Sequence, residues 1–159
     1  SRGDSYYEYL VKQYLLTTRT DQVFRDMYEF AFDDIKSKML MSNPGVSPPL
    51  VHTLEIYPNK LSGMSPSWAA RTKQDHLVCF LGGTMLLSAT EFENGTLYPP
   101  KESYSPTEAA YEDWRVGHEL IRSCMNTYTE SATGLGAEIV FFKADHSTAA
   151  SGRPWNIKR

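Results

Sequence analysis

Two carboxylates, Asp4 and Glu8, stand four residues apart in the stretch Arg2-Gly3-Asp4-Ser5-Tyr6-Tyr7-Glu8-Tyr9-Leu10. Residues with that separation on a helix share a face about one turn apart, so the pair has the spacing to line a polar pocket above an aromatic floor. Paired carboxylates in such a pocket suit acid–base chemistry or the recognition of hydroxyl groups. The same residues admit a structural reading, and on spacing alone it carries more weight. Ser5 followed by Glu8 is a capping box, which predicts a helix from Tyr6 with Ser5 as its N-cap. Glu8 then also pairs with Lys12, and Asp4 favours the positive end of the helix dipole. Arg2-Gly3-Asp4 spells a cell-adhesion tripeptide as well, but an adhesion ligand needs an exposed flexible loop, and this one runs straight into an apolar helix.

The elements that must position these groups follow from periodicity. Tyr7, Leu10, Val11, Tyr14 and Leu15 form an apolar stripe that carries the first helix to about Leu16. Thr20 or Asp21 caps a second helix with the stripe Phe24, Met27, Tyr28, Ala31, Ile35 and Met39, and Ser42-Asn43-Pro44-Gly45 ends it. Two such helices with a short connection pack as a hairpin. Leu50 to Tyr57 alternates as a strand, and Pro58 to Ser67 is loop. A third helix over Asp75 to Ser88 is apolar around most of its circumference, which marks it as buried. Gly82-Gly83 inside it implies that a backbone or a ligand comes close. Beyond a loop from Thr90 to Tyr104, Ser105-Pro106-Thr107-Glu108 supplies an N-cap, a proline at the first helical position and a glutamate at the third. That helix runs to about Thr129; Gly134 and Gly136 stop it, Glu138 to Phe142 is a short strand, and the tail from Ala144 to Arg159 is polar and irregular. The pattern predicts a helical array with small strands at one rim.

The totals narrow the choice of function. A chain of 159 residues is one domain's worth. A net charge of −3 argues against a nucleic-acid partner, which calls for basic patches. No apolar run approaches the roughly 18 residues of a membrane span, and there is no signal-peptide pattern. Any membrane anchor would therefore have to lie in sequence before Ser1. Asn94-Gly95-Thr96 is a glycosylation sequon in a loop. Cys79 and Cys124 are the only cysteines, both at core-facing helical spacing, where two buried thiols are as common as a bridge.

The run from Asp4 to Leu10 with Lys12-Gln13 resembles the signature of the class I alpha-1,2-mannosidases, glycoside hydrolase family 47. Three further motifs follow in that family's order: Gln74-Asp75-His76-Leu77-Val78-Cys79-Phe80-Leu81 with Gly83-Thr84; Thr133-Gly134-Leu135 leading to Glu138-Ile139-Val140; and Arg153 with Trp155-Asn156-Ile157-Lys158. The resemblance spans nearly the whole chain. It implies an all-α fold with short β hairpins, residues 1–159 being the central fragment of a single glycosidase catalytic domain and a portion of an (alpha/alpha)7 barrel. A ring cut in this way leaves faces such as Leu77 to Leu87 without partners.

The activity the resemblance implies is inverting, calcium-dependent removal of terminal alpha-1,2-linked mannose from high-mannose N-glycans in the endoplasmic reticulum or Golgi. Asp4 matches the family's catalytic aspartate. Arg2 matches the arginine that endoplasmic-reticulum-type members carry, Glu8 an acidic residue of the sugar pocket, and His76 and Glu138 polar pocket positions. Cys79 and Cys124 match the family's disulfide, which together with the Asn94 sequon favours the oxidising secretory pathway. The family's general acid lies before Ser1, and its base and calcium site lie beyond Arg159, so no metal site is expected within the chain and the isolated chain is expected to be inactive. Gly136-Ala137, the longer segments Pro58 to Ala70 and Glu91 to Ser105, and Pro154 depart from the family pattern and bear on subtype. Two other readings remain: a non-catalytic mannosidase-like lectin of glycoprotein quality control, and a helical scaffold for protein partners.

Overall fold

The computed structural model describes residues 3–43, 45–59, 67–92, 107–143 and 152–157. The first apolar stripe folds Asp4–Leu16 into α1, which buries Leu10, Val11 and Tyr14. It packs on α2, Gln22–Met39, whose inward face is Tyr28, Phe32 and Ile35. The turn between them is closed by backbone bonds from Thr17, Thr18 and Arg19 to Gln13, Leu15 and Tyr14, and it sets Thr18 and Arg19 at φ of 53° and 62°. Asp21 caps α2 by accepting from Val23 N at 3.3 Å.

The start of α1 departs from the capping-box expectation. The N-cap is Gly3, and no side chain caps the helix. Asp4 Oδ1 accepts from Ser5 N at 3.0 Å, while Glu8 is drawn forward to Lys12 and does not reach back. The Asp4 carboxylate thus takes the Ser5 amide that the capping box assigned to Glu8. The end of α2 also differs. Leu40 leaves the helix at φ −100°, ψ 139° because Leu40–Asn43 pairs as β1 with β2, Leu50–Thr53, in an antiparallel hairpin. The expected single strand from Leu50 to Tyr57 breaks at Leu54, whose N–H is taken by Met39 O at 2.7 Å. It resumes as β3, Glu55–Asn59, paired with β4, Ser67–Arg71.

A three-stranded antiparallel sheet follows, in the order β5 (Lys73–Asp75), β6 (Ile139–Phe142), β7 (Trp155–Ile157). The third helix therefore does not begin at Asp75. A 3₁₀ turn, His76–Cys79, leads from β5 into α3, Phe80–Glu91. The tail expected to be irregular supplies β7, held to the next helix by Trp155 Nε1 donating to Asn126 Oδ1 at 2.9 Å. That helix is α4, Glu108–Thr129, capped by Thr107, which accepts from Ala110 N at 3.3 Å. The cap lies two residues after the Ser105 N-cap expected, and Ser105 and Pro106 lie outside the described residues.

Leu10, Val11, Tyr28, Phe32, Ile35, Leu81, Met85, Val116 and Leu120 from the four helices make one core. Each fully buried side chain of this kind stabilises by about 1.5–3 kcal/mol. Leu50, Val140, Phe142 and Trp155 make a second core under the sheets. The expected close approach inside α3 occurs at Gly82, where a Cβ would lie 2.8 Å from Gly117 O of α4; at Gly83 a Cβ would meet nothing within 4 Å. On the expected open face Leu77 is 65% exposed, whereas Leu81 and Met85 are buried.

One polar cluster sits among the helices. Asp113 of α4 accepts from Tyr28 at 2.8 Å, Ser88 at 3.0 Å and Lys36 at 2.8 Å. Burial, then the Asp113 charge, pushes the Tyr28 phenol well above its ordinary value. Burial works against the Lys36 ammonium, but Asp113 and Glu112 outweigh it and hold its pKa above that of an ordinary lysine. Cys79 and Cys124 are bonded, fastening the 3₁₀ turn to α4 across a separation of 45 residues. A loop of that size is worth roughly 4 kcal/mol on the chain-entropy account.

Candidate functional site

A cavity of about 210 Å³ opens between the start of α1 and the two strand pairs. Its apolar walls come from Tyr7, Ile35, Met39, Leu54, Ile56, Val78, Phe80 and Leu81, and its charged groups are Asp4, Glu55, Lys73 and Asp75. Strand alternation explains the last two. Successive side chains of β5 point to opposite faces, so Lys73 and Asp75 share the cavity side and Gln74 points inward. Gln74 is 3% exposed. Its Oε1 accepts from Thr53 N at 3.1 Å and Thr53 Oγ1 at 3.3 Å, and its Nε2 lies 3.6 Å from Cys124 Sγ. Lys73 Nζ lies 2.9 Å from Asp75 Oδ1 and 3.3 Å from Glu55 Oε1, and Arg71 lies 3.3 Å from the other Glu55 oxygen. The Lys73 hydrogen bond holds the Asp75 carboxyl below the usual carboxylate range, and the same bond raises the Lys73 ammonium.

Asp4 sits on this cavity as the first residue of α1. Glu8, one turn on, does not line it and is paired with Lys12. His76 follows Asp75 directly, donates its backbone N–H to Glu138 O at 2.8 Å, and places Nε2 2.9 Å from the Tyr128 hydroxyl. The β5–β6 register pairs Asp75 with Ile139, so His76 and Glu138 meet at the end of the strand that carries Asp75. The Glu138 residue is exposed. Asp4 thus lines the cavity, His76 and Glu138 meet each other next to its Asp75 wall without lining it, and Glu8 is turned along α1. Arg2 and Asn94 lie outside the described residues.

Sequence reasoning missed Glu55, Lys73, Asp75 and Tyr128 as members of this region. Asp75 stands inside the Gln74 to Leu81 motif, next to His76, and that adjacency is the signal the sequence offers. Glu55 and Lys73 carry no motif; only the neighbouring of β3 and β5 joins them. Tyr128 is fixed by a steric detail, since a Cβ on Gly136 would lie 2.8 Å from its ring.

Among the described residues no three His, Cys, Asp or Glu side chains are grouped to hold a metal ion, and no helix is long and apolar enough to cross a membrane.

Paired helices with short antiparallel strands closing over a carboxylate-bearing cavity fit a portion of an (alpha/alpha)7 barrel, the fold of a solved mannosidase on which the chain superposes. The structure superposes on an alpha-1,2-mannosidase from Trichoderma reesei with a TM-score of 0.69 at 18% identity, over 97% of this chain and 29% of that one. At that identity the likeness speaks for the fold. The chain belongs to glycosyl hydrolase family 47, whose profile matches residues 1–159. It is 38% identical over 148 residues to a mannosyl-oligosaccharide 1,2-alpha-mannosidase of Candida albicans, covering 92% of this chain and 24% of the relative. It is 37% identical over 148 residues to an endoplasmic reticulum mannosyl-oligosaccharide 1,2-alpha-mannosidase of Schizosaccharomyces pombe, covering 92% and 26%. A relative of that same name in Saccharomyces cerevisiae is 34% identical over 142 residues, covering 89% and 24%. The chain thus spans about a quarter of the length of these relatives.

Proposed function

We propose that the protein carrying this chain removes terminal alpha-1,2-linked mannose from high-mannose N-glycans in the secretory pathway, and that residues 1–159 are the central part of its single catalytic domain. The observation that carries the reading is the position of Asp4. The carboxylate expected to act on the reacting sugar opens α1 at the cavity, in a chain similar throughout to proteins named as mannosidases.

Inversion needs a protonated acid on the leaving oxygen and a carboxylate that activates water on the opposite face, about 6.5 to 9.5 Å apart. Asp4 takes the part of a carboxylate that holds a water or sugar hydroxyl. Tyr128 fixes the orientation of the His76 ring, and His76 and Glu138 serve as polar pocket groups. Arg2 and Glu8 extend the sugar contacts, Arg2 through its planar guanidinium fork. The apolar walls exclude water and suit the carbon face of a pyranose. Calcium, on which the family depends, finds no ligand set among the described residues, and the roles given to Asp4, His76 and Glu138 do not involve it.

The test is mass spectrometry of a high-mannose N-glycan incubated with the full-length protein. Successive loss of single hexoses from alpha-1,2 termini is expected. An unchanged glycan rejects hydrolysis, and an unchanged glycan that nonetheless binds assigns the site to a lectin.

A further inference from the structure

We infer that Lys73 is a positioning residue for sugar recognition, holding the Asp75 carboxylate into the cavity that Asp4 shares and bracing it against Glu55 of the neighbouring hairpin. This rests on the functional reading above and names the device that shapes its recognition surface. Three observations carry it. Lys73, Asp75 and Glu55 all line the cavity with Asp4. The ammonium spans two separate strand pairs, reaching Asp75 at 2.9 Å and Glu55 at 3.3 Å, with its side chain only 17% exposed. The strand that presents it is itself clamped, because Gln74 between the two charged residues is buried and bonded to Thr53.

A carboxylate is a good acceptor for two vicinal hydroxyls only when its plane is fixed. A cation beside it supplies the fixing and keeps it ionised. Asp75 is drawn below the usual carboxylate range by that bond. Among the described residues the charged groups that share the cavity with it are Lys73, Glu55 and Asp4, and Arg71 stands on the other Glu55 oxygen. Removing Lys73 therefore takes the cation from between the Asp75 and Glu55 carboxylates and leaves Arg71 on Glu55 alone. The repulsion between the two carboxylates raises the proton affinity of Asp75.

The experiment uses the full-length protein with Lys73→Met and Lys73→Arg. It combines calorimetric titration with alpha-1,2-mannobiose from pH 5 to 7, turnover of a mannosyl oligosaccharide, and a melting curve for each variant. Lys73→Met is expected to weaken binding by about tenfold or more, the scale of a lost charged hydrogen bond. KM should rise more than kcat falls, and the acid limb of binding should move to higher pH. Lys73→Arg is expected to recover affinity to within about threefold, because it keeps the charge and the donors. Unchanged affinity in Lys73→Met, or equal losses in both variants with no movement of the acid limb, overturns the inference. If Lys73→Met is not recovered folded, Glu55→Gln carries the test: it releases the ammonium from β3 and should weaken binding in the same direction, and unchanged binding overturns the inference. A wild-type protein that neither binds nor cleaves the sugar removes the functional reading and this inference with it, whereas normal wild-type binding beside an indifferent Lys73→Met removes the inference alone.

Discussion

Neighbouring glycines in α3 should respond to alanine with opposite signs. At Gly82 a Cβ would lie 2.7 Å from Ile121 Cγ1 and 2.8 Å from Gly117 O, and at Gly117 the reciprocal Cβ would lie 2.8 Å from Gly82 O. The obstruction includes a backbone carbonyl in the middle of α4, which cannot rotate away. Alanine therefore forces α3 and α4 apart where Leu81, Met85, Val116 and Leu120 meet in the core. Overpacking of a filled interior costs about 1–3 kcal/mol, and the upper part of that range applies when the obstacle is backbone. Against it stands a gain of about 1 kcal/mol in helix propensity. The net expectation for Gly82→Ala is a loss of about 1–2 kcal/mol. Gly83 has nothing within 4 Å of its would-be Cβ, so Gly83→Ala keeps only the propensity gain, about 0.5–1 kcal/mol. Equilibrium urea unfolding of both variants reads the difference as opposite shifts in midpoint at unchanged slope. Two shifts of the same sign, or a Gly82→Ala midpoint at or above wild type, would refute the packing argument.

Asp113→Ala removes the acceptor that Lys36, Tyr28 and Ser88 share but leaves Lys36 paired with Asp33 and Glu112 and Tyr28 bonded to Ser88, so the loss should be about 1–3 kcal/mol, measured by the same unfolding. Gly136→Ala drives a Cβ against the Tyr128 ring at 2.8 Å, so the Tyr128–His76 bond should be lost. The expected result is a lower kcat with a stability loss of about 1–3 kcal/mol, and a variant with wild-type kcat would separate that bond from the site. His52 is fully buried, stacked on Phe142, and its Nδ1 lies 3.1 Å from Thr53 O. Burial lowers its pKa, only partly offset by the Thr53 carbonyl. A histidine kept neutral in the fold binds its proton first in the unfolded chain. Its share of stability is therefore whole above the ordinary value of about 6.5 and falls as pH drops below it, by up to about 1.4 kcal/mol per pH unit. His52→Phe should flatten that part of the stability–pH curve, and an unchanged curve would contradict the assignment.

The helices were legible because their burial is periodic. The stripe through Leu10, Val11 and Tyr14 is the face α1 buries, and Asp21 caps α2. Phe32, buried at 1%, belonged to the same face of α2 and was passed over for Met27 and Ala31. What failed to show was pairing between distant segments. Strands of three residues, such as Lys73–Asp75 and Trp155–Ile157, hold too few positions for an alternation to register, and β1 was hidden in what read as a helix terminus. The capping box failed for a related reason: Glu8 had a better partner in Lys12. At the site, Asp4, His76 and Glu138 were recognisable only as members of motifs, since each alone has an ordinary structural use. Lys73 and Glu55 acquire meaning only once the fold brings β3 and β5, strands of two different sheets, within reach of one ion pair.

The central claim is that Asp4 belongs to a cavity that handles the scissile mannose. Among the described residues its side chain makes one hydrogen bond, accepted from Ser5 N at the exposed helix start, so Asp4→Asn should leave the fold intact. The decisive measurement is mannose release from an alpha-1,2-linked oligosaccharide by full-length wild-type and Asp4→Asn protein, followed by NMR so that the anomer is read as it forms. The account predicts β-mannose as the first product, with a rate that falls on the order of a hundredfold or more in the variant. Release at the wild-type rate by a folded Asp4→Asn protein would contradict it.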